Sequence, residues 1–264
     1  MKKLKNSSDG SSRVNRIKFL TTPCGVVLCY NFNMEKGEEI ATLYIVGTPI
    51  GNLEDITYRA VRILKEVDYI LCEDTRTTQT LLNRYNINSK TISYHCHSTE
   101  NKEQEIINFL RAGKNIALVS DAGTPCISDP GVLLVSNVKK ELGDSVKISP
   151  IPGPSALISA LSASGISSAE FTFLGFLPHK KGREKIFKEI AESKKVIVFY
   201  ESTHRILKAL DSLNKYVPKH RIVIAREMTK QFEEFIEGHP IDIISYFEKD
   251  PVRTKGEFVV IVKP

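Results

Sequence analysis

Residues 115–131 read NIALVSDAGTPCISDPG, a short apolar run followed by a loop rich in Asp, Gly and Pro. The apolar run has the length of a buried strand. After the loop, Leu134, Val138 and Leu142 recur at helical spacing, which predicts a helix. A strand, a loop and a helix in this order form the repeating unit of an α/β sheet, in which ligands bind beyond the carboxyl ends of the strands. The loop at 120–131 is therefore a candidate ligand site.

A purely structural interpretation of this loop covers only its end. Asp129 followed by Pro130 is typical of a helix N-cap with proline at the first helical position. That interpretation leaves the nine preceding residues unexplained, whereas a ligand that binds free backbone groups explains them. The strand-to-helix junctions at 47–53 and 151–156 are also rich in Gly and Pro. The first lacks the glycine spacing of dinucleotide and P-loop sites, so those two site classes are excluded.

The same alternation extends on both sides of this stretch. Short β-branched runs alternate with helical stretches, one of which has Ala60, Ile63 and Leu64 on one face. Near-continuous apolar strands separated by helices predict a mostly parallel sheet that is covered on both faces. We therefore predict an α/β domain over 41–150. Its strands are expected at 42–47, 68–74, 91–95, 115–121 and 146–153.

The second half of the chain has more consecutive strands and fewer helices. Residues 150–165 (PIPGPSALISALSASG) predict a helix that begins at Pro154 or Ser155, and 179–185 (HKKGREK) predict a basic loop. This arrangement is typical of a mixed sheet, so we predict a second α/β domain over 151–264. Its strands are expected at 171–178, 195–201, 221–227, 231–238 and 256–264.

Composition places the chain among globular proteins. The 264 residues are 41% hydrophobic and 26% charged, which excludes collagen-like, coiled-coil and wholly disordered classes. Of the 37 basic and 31 acidic residues, seven basic and four acidic lie in 1–40, so the remaining body carries a net charge of only +3. A general nucleic-acid footprint needs clustered excess charge, so only local clusters argue for RNA.

Cysteine usage and hydropathy bear on the compartment. The five cysteines are scattered and form no CxxC pair, so the sequence predicts neither a disulfide framework nor a zinc knuckle and favours a reducing cytoplasm. The apolar run at 24–30 is far shorter than the ~20 residues that span a bilayer, and we expect no membrane segment.

The first forty residues differ from the rest of the chain. They are rich in Lys, Ser and Asn and show no helical or strand periodicity. We predict that 1–40 is a disordered or non-native tail. Met34 lies shortly before the first predicted strand, and our hypothesis is that translation begins there; intact-mass measurement of the native protein tests it.

Charged side chains follow several of the predicted strands. The motifs are EDTR at 73–76, ESTHR at 201–205, REMTK at 226–230 and KGE at 255–257. The simpler interpretation of these motifs is structural: Asp74 caps a helix, and the other charged side chains form ion pairs. The density of such motifs at strand ends favours a polar ligand site instead.

Two further groups of residues could contact a polar substrate. His95 and His97 share a face at a strand end, but their spacing is not that of metal ligands, so we predict no metal and favour substrate contact. The loop 179–183 combines basic side chains with a glycine, which suits phosphate contacts, although a solvated loop has the same composition.

Seven blocks of the sequence occur in the order typical of one family. They are LYIVGTPIGNL, CEDTR, NIALVSDAGTPCISDPG, IPGPSA, GFLP, FYESTHR and AREMTK. From about residue 43 to 263 the chain resembles the ribosomal RNA small subunit methyltransferase I family, cytidine ribose 2′-O-methyltransferases within the tetrapyrrole-methylase-like superfamily. The resemblance implies two α/β domains of that type with S-adenosylmethionine in the cleft between them. It also implies a homodimer and, as substrate, a decoding-region cytidine of 16S rRNA within the 30S subunit.

The resemblance assigns residues to the cofactor. The implied contacts are Ile50, Asp121, Thr124, Pro125, Ile127, Ser155 and Ala156, with weaker correspondences at Leu174 and Ala225.

The chemistry implied by the resemblance needs few catalytic groups. The sulfonium already activates the methyl group, so positioning of the ribose oxygen lowers much of the barrier. A weakly acidic hydroxyl still benefits from a base or a nearby cation. The candidate bases are Asp74, Glu201 and Glu227, and the candidate cations are Arg76, Arg205, Arg226 and Lys255. Of these, Asp74, Arg76, Glu201 and Arg226 are our catalytic set; the RNA-binding set is His95, His97, Lys180, Lys181, Arg183 and Arg205.

Two other functions remain open at this point. The same fold and cofactor could serve a tetrapyrrole acceptor, although the polar, basic strand ends and short loops disfavour a large macrocycle. The chain could instead be a non-catalytic RNA-binding assembly factor on the same scaffold.

Overall fold

The computed structural model describes residues 40–95 and 98–264, together with two short strands near the amino terminus. These strands, β1 (Leu20–Thr21) and β2 (Val27–Leu28), pair antiparallel. The remainder of the predicted tail, including Met34, lies outside the described residues. Residues from Ile40 to Pro264 form one compact unit.

Five strands of the described chain form a first sheet in which every pair is parallel. They are β3 (Thr42–Val46), β4 (Tyr69–Cys72), β5 (Lys90–Ser93), β6 (Ile116–Leu118) and β7 (Lys147–Ile151). Their order across the sheet is β5-β4-β6-β3-β7, so β6 and β3 are central. The prediction of a mostly parallel first sheet is confirmed.

Helices cover both faces of this sheet. They are α1 (Tyr58–Glu66), α2 (Thr75–Arg84), α3 (Glu100–Arg111) and α4 (Val132–Leu142). The apolar sides of α1 and α2 pack on one face, and those of α3 and α4 pack on the other. The interpretation of Asp129 as an N-cap is wrong, because α4 begins at Val132 after Gly131, whose φ is 124°. Asp129 therefore lies in the loop and not in the helix.

A second sheet of five strands in the described region is mixed. They are β8 (Phe171–Phe176), β9 (Val196–Ser202), β10 (Arg221–Arg226), β11 (Glu234–Gly238) and β12 (Glu257–Lys263). The order is β11-β10-β12-β9-β8; β8 and β9 are parallel and the other pairs are antiparallel. The predicted mixed second sheet is confirmed.

The helices of the second half also lie on two faces. They are α5 (Ala156–Ala163), α6 (Arg183–Glu192), α7 (Ile206–Tyr216) and α8 (Pro240–Lys249). The last three pack on one face of the second sheet, and α5 packs on the other. Because α5 follows the first sheet but packs on the second, it connects the two; the domain boundary at 150/151 stays a prediction.

Two features of the second half were not expected from the sequence. Residues 183–185, predicted as loop, form the first turn of α6, which follows Gly182 in a left-handed conformation. Helix α8 was not predicted, although Pro240 at its first position and a capping box between His239 and Asp242 mark its start. Within the described residues, no helix is both long and apolar enough to cross a bilayer.

Candidate functional site

Three loops at the carboxyl edge of the first sheet are hydrogen-bonded to one another. Thr48, after β3, exchanges backbone hydrogen bonds with Gly123, after β6, with N–O distances of 2.8 and 3.1 Å. The Thr124 hydroxyl donates to the carbonyl of Pro154, after β7, at 3.3 Å. These bonds fix the loops that follow the two central strands and the edge strand β7.

Glycine permits the closest of these approaches. A Cβ on Gly47 would lie 2.9 Å from Cα of Gly153, a distance that real Cβ atoms do not show. The loops after β3 and β7 therefore contact each other backbone to backbone, and any side chain at either position would separate them.

A cleft of about 250 Å³ opens between these loops and the second sheet. The strand ends of the second sheet reach it because β8, β9 and β10 end, and the antiparallel β12 begins, at the same edge. The first-sheet side and α5 contribute Ile50, Asp121, Ala122, Gly123, Thr124, Ile127, Ser128, Asp129, Ser155 and Ala156. The second-sheet side contributes Phe176, Tyr200, Glu201, Met228, Glu257, Phe258 and Val259.

Most residues assigned to the cofactor come together in this cleft. Its lining includes Ile50, Asp121, Thr124, Ile127, Ser155 and Ala156. Pro125 is buried beside the lining, Leu174 packs against the core of the second sheet, and Ala225 is 1% exposed in the core beneath α5. The roles of all nine residues stay predictions.

The lining also contains residues to which the sequence analysis assigned no individual functional role. They include Ser128, Asp129, Phe176, Tyr200, Met228, Glu257, Phe258 and Val259. Asp129 had a signal, since it lies in the polar loop after a buried strand. For Phe176 and Tyr200 the only signal was their place in the blocks GFLP and FYESTHR, because an aromatic residue in a strand-like run is normally part of the core.

Backbone strain is concentrated at this cleft. Among the described residues, five other than glycine have a positive φ. Four of them flank the cleft: Cys126 (70°) and Ser128 (63°) on the first-sheet side, and Glu227 (48°) and Thr229 (64°) on the other. Such conformations cost about 1–3 kcal/mol each and are typical of binding and catalytic sites.

The lining is acidic. It contains the carboxylates of Asp121, Asp129, Glu201 and Glu257 and, among the described residues, no Lys, Arg or His side chain. Burial raises the pKa of Asp129 to about 6. A hydrogen bond from Ser120 acts to lower this pKa, and the nearby negative charges of Glu73 and Asp121 raise it further. An acidic lining favours a cationic ligand.

Glu201 is the centre of a buried ion cluster. Its side chain is 0% exposed; one carboxylate oxygen lies 2.9 Å from Arg183 and the other lies 2.7 Å from Arg205. Arg205 also donates to the carbonyl of Leu177 at 2.7 Å, and Arg183 donates to that of Pro178 at 3.3 Å. The cluster therefore fixes the segment that follows β8. The structure brings these three predicted residues together, and their separate roles in catalysis and RNA binding stay predictions.

A second polar network lies after β10. Lys230 Nζ lies 2.9 Å from Glu227 and 3.0 Å from Glu257. Burial acts to raise the pKa of Glu227, but the hydrogen bonds from Lys230 and from the Glu257 N–H together lower it. Arg226 donates to the backbone carbonyls of Lys255 and Phe232 at 3.0 and 3.2 Å. This network connects the strained loop after β10 to the start of β12.

The remaining predicted residues are exposed. Asp74 caps α2 by accepting from the Arg76 N–H at 2.8 Å, which confirms the capping interpretation, and its own N–H donates to Asp121 at 3.1 Å. Lys180 and Lys181 are exposed before α6. The His95 N–H donates to the Ser98 hydroxyl at 2.9 Å.

His97 and Cys96 lie outside the described residues. In the described ranges, no group of three or more His, Cys, Asp or Glu side chains is arranged to hold a metal ion.

Comparison with known proteins places this geometry in a family. Residues 42–240 match the family model described as Tetrapyrrole (Corrin/Porphyrin) Methylases. A relative named Ribosomal RNA small subunit methyltransferase I from Thermotoga maritima is 45% identical over 83% of this chain and 97% of its own length. The chain belongs to the ribosomal RNA small subunit methyltransferase I family. A member of the same name from Vibrio cholerae is 49% identical over 83% of this chain and 76% of its own length.

Solved structures support the fold assignment. The structure of a cobalt precorrin-4 methyltransferase from cobalamin biosynthesis covers 87% of this chain and 97% of its own, with a TM-score of 0.63 and 17% identity. At that identity the likeness concerns the fold alone, and it confirms the two-sheet α/β architecture of the tetrapyrrole methylase type.

Proposed function

We propose that this member of the family transfers a methyl group from S-adenosylmethionine to the ribose 2′-oxygen of a decoding-region cytidine in 16S rRNA. One observation carries the proposal: sequence blocks that are far apart in the chain converge on a single cleft. The blocks at 43–53, 115–131, 151–156, 199–205 and 225–230 all contribute to its lining. Relatives that are 45% and 49% identical to this chain are named Ribosomal RNA small subunit methyltransferase I.

The chemistry of the cleft fits the proposed cofactor. A sulfonium and an ammonium group both carry positive charge, and the lining supplies the carboxylates of Asp121 and Asp129. The other two lining carboxylates, Glu201 and Glu257, are already paired with basic side chains. Apolar side chains such as Ile50, Ala156 and Met228 offer surface for a flat ring. The residues that hold the cofactor in this proposal are Ile50, Asp121, Thr124, Ile127, Ser155 and Ala156, which line the cleft. Contacts by Pro125, Leu174 and Ala225, which are not part of the lining, stay predictions.

S-adenosylmethionine supplies an electrophilic methyl group that needs no further activation. The work of the protein is to orient the ribose hydroxyl and to accept its proton. Both oxygens of Glu201 are paired with arginines, and the hydrogen bonds from Lys230 and the Glu257 N–H lower the pKa of Glu227. Asp129 has a pKa of about 6 and lies in the lining, so it is the carboxylate best suited to accept a proton near neutral pH. Asp74, Arg76, Glu201 and Arg226 then orient the loops and the acceptor.

Transfer of a tritiated methyl group tests the proposal directly. The acceptor is the 30S subunit from a strain that lacks the enzyme, and the product nucleoside is identified by mass spectrometry. We expect incorporation at one ribose-methylated cytidine. Incorporation should fall below about pH 6, where Asp129 becomes protonated, and Asp129→Asn should lower the rate and remove that dependence. Absence of transfer to 30S subunits and to free 16S rRNA contradicts the proposal.

The same assay separates the two other functions. Structures with this fold are named for methylation of tetrapyrrole precursors, so a precorrin acceptor is included. Transfer to the precorrin alone favours that substrate class. Binding of S-adenosylmethionine and of 30S subunits without transfer favours a non-catalytic assembly factor.

We also propose a homodimer in the cytoplasm as the working form. Sedimentation equilibrium of the purified protein tests the dimer, with a concentration-independent monomer mass as the opposing result.

A further inference from the structure

Phe176 is an aromatic residue whose ring is held in the mouth of the cleft. It ends β8, is 55% exposed and belongs to the cleft lining. Its ring packs edge to face against Tyr200, with ring centroids 5.4 Å apart and an interplanar angle of 61°. Since more than half of the residue is exposed despite this contact and it lines the cleft, apolar surface is available for a ligand.

The backbone places the ring there by an irregularity in β8. The register between β8 and β9 shifts between Phe173 and Phe176, which is the signature of a bulge. Gly175 within the bulge has φ of 63°, and a Cβ there would lie 2.7 Å from the hydroxyl oxygen of Ser128. The left-handed conformation therefore favours glycine at this position, and the bulge redirects the next side chain toward the cleft.

Contacts on both sides make the ring a rigid surface. The Tyr200 hydroxyl accepts a hydrogen bond from the Leu157 N–H at 3.2 Å, which fixes the ring beneath Phe176. The next two residues, Leu177 and Pro178, do not line the cleft. Their backbone carbonyls accept hydrogen bonds from Arg205 and Arg183 respectively. Both arginines also pair with the buried Glu201, so the segment after Phe176 is fixed. A fixed aromatic surface binds a flat ligand without the entropy cost of ordering it.

The charges around Phe176 indicate which ligand approaches it. Exposed Lys180 and Lys181 follow a few residues along the chain, whereas the interior of the cleft is lined by carboxylates. The lysines attract the anionic backbone of an RNA and the carboxylates of Asp121 and Asp129 repel it, so the part of a nucleotide that can extend inward is its uncharged base. An aromatic surface beside basic side chains is the combination that binds unpaired nucleotides.

We propose that Phe176 stacks against a base of the RNA substrate and holds an unpaired nucleotide at the mouth of the cleft, while Lys180 and Lys181 contact its backbone phosphates. This inference rests on the proposed function. It assigns Phe176 to substrate positioning and explains why a buried Glu201–Arg183–Arg205 cluster supports the segment that follows β8.

Binding to two short single-stranded probes tests the stacking. One probe is a fluorescein-labelled oligocytidylate, and the other is a ribose-phosphate chain of the same length without bases. We expect Phe176→Ala to weaken oligocytidylate binding on the order of tenfold and to leave abasic binding unchanged, and Phe176→Tyr to bind as the wild type does. Lys180→Glu with Lys181→Glu should weaken both probes and reduce the salt dependence.

Phe232→Ala is the matched control, since Phe232 is 63% exposed and is not part of the cleft lining. Equal affinity of the wild type for the two probes, or equal losses for both in Phe176→Ala, overturns the inference. Weaker S-adenosylmethionine binding by Phe176→Ala with unchanged oligocytidylate binding also overturns it, because the ring then belongs to the cofactor site.

Methylation kinetics distinguish this inference from the proposed function. With 30S subunits as acceptor, Phe176→Ala should raise KM for the subunit on the order of tenfold and leave KM for S-adenosylmethionine unchanged. If the wild type does not methylate 30S subunits, the proposed function fails while the two-probe comparison still reports on stacking. If the wild type methylates them and Phe176→Ala does so with unchanged KM, the inference alone fails.

Discussion

Single residues decide how closely the two sheets approach at the cleft. Gly175 is a clear case, because its φ of 63° disfavours other residues and a Cβ there would force the Ser128 hydroxyl, 2.7 Å away, to move. Asp129, which follows Ser128 in the loop 120–131, shows an electrostatic effect of the same kind. Its carboxylate is partly buried, and burial disfavours the charged form. The conformation of Gly175 and the buried charge of Asp129 each lower the stability of the folded protein, as is typical of functional sites.

Gly175→Ala should destabilise the fold by more than the cost of the left-handed backbone conformation, because the added Cβ also meets the Ser128 hydroxyl. The left-handed conformation costs an L-residue about 1–2 kcal/mol. Gly165→Ala is the control, because Gly165 has a similar φ of 65° and no atom within 4 Å of an added Cβ. We expect the loss in free energy of unfolding, measured in urea, to be larger for Gly175→Ala. Adding Ser128→Ala should recover the excess; equal losses for both glycines would contradict the steric argument.

Asp129→Asn should stabilise the protein at neutral pH. Because the pKa of Asp129 rises from 3.8 to about 6 on folding, the folded state binds more protons between these values, and stability falls as the pH rises through this window. Asn carries no charge, so the variant does not lose stability as the pH rises through this window. After allowance for partial exposure, we expect a gain on the order of 1 kcal/mol at pH 8 that disappears below about pH 4. Urea unfolding at both pH values measures it, and a gain that does not change with pH would contradict the assignment.

Elements of secondary structure carry the functional groups to the cleft and hold them there. The antiparallel β12 begins where β9 and β10 end, so one edge of the second sheet presents residues from three strands. The start of α6 supplies Arg183, and the start of α7 follows Arg205, and both arginines bond to Glu201 at the end of β9. The ion cluster thus joins two helix starts to one strand end.

Glu201→Gln should destabilise this junction strongly. The substitution keeps the shape of the side chain but leaves Arg183 and Arg205, which are 14% and 15% exposed, without a counter-charge. Loss of one partner of a buried ion pair costs about 3–5 kcal/mol. Glu189→Gln on α6 is the control, since its pair with Lys185 is exposed and contributes at most about 1 kcal/mol. Similar free energies of unfolding for the two variants would show that the cluster does not hold the junction.

At the scale of the whole molecule, the cleft depends on both sheets. Neither sheet alone encloses it, since its lining draws on loops of the first and on strand ends of the second. A ligand that binds there therefore contacts both halves and stabilises the folded chain as a whole.

Saturating S-adenosylmethionine should raise the melting temperature of the protein. At a concentration 100-fold above Kd the stabilisation is about 2.7 kcal/mol, which corresponds to a shift of roughly 5–10 °C for a chain of this size. Scanning calorimetry measures the shift in melting temperature, and we expect both halves of the chain to unfold together in one transition. Asp121→Ala should reduce the shift, whereas Asp211→Ala, an exposed residue of α7 that is not part of the lining, should retain it. An unchanged melting temperature at every cofactor concentration would count against the proposed cofactor.

Local pattern was sufficient for much of the fold. Strand length, apolar periodicity and glycine at helix ends, as at Gly143, predict the alternating elements, the parallel first sheet and the mixed second sheet. The loop at 120–131 was also identifiable, because its Asp, Gly and Pro content is not needed by a simple turn. These features are encoded within a few residues of each other, so a single sequence contains them.

The tertiary structure decided what those elements bring together. Thr48 and Gly123, separated by 75 residues, are joined by hydrogen bonds that no local pattern contains. Phe176 reads as a core residue in the sequence, and only a bulge against β9 turns it into the cleft. Arg183 and Arg205 were predicted from the sequence to bind RNA, and only the fold shows that both pair with Glu201. The physical reason is that periodicity records whether a residue is buried, whereas the identity of its partners depends on long-range packing of the two sheets.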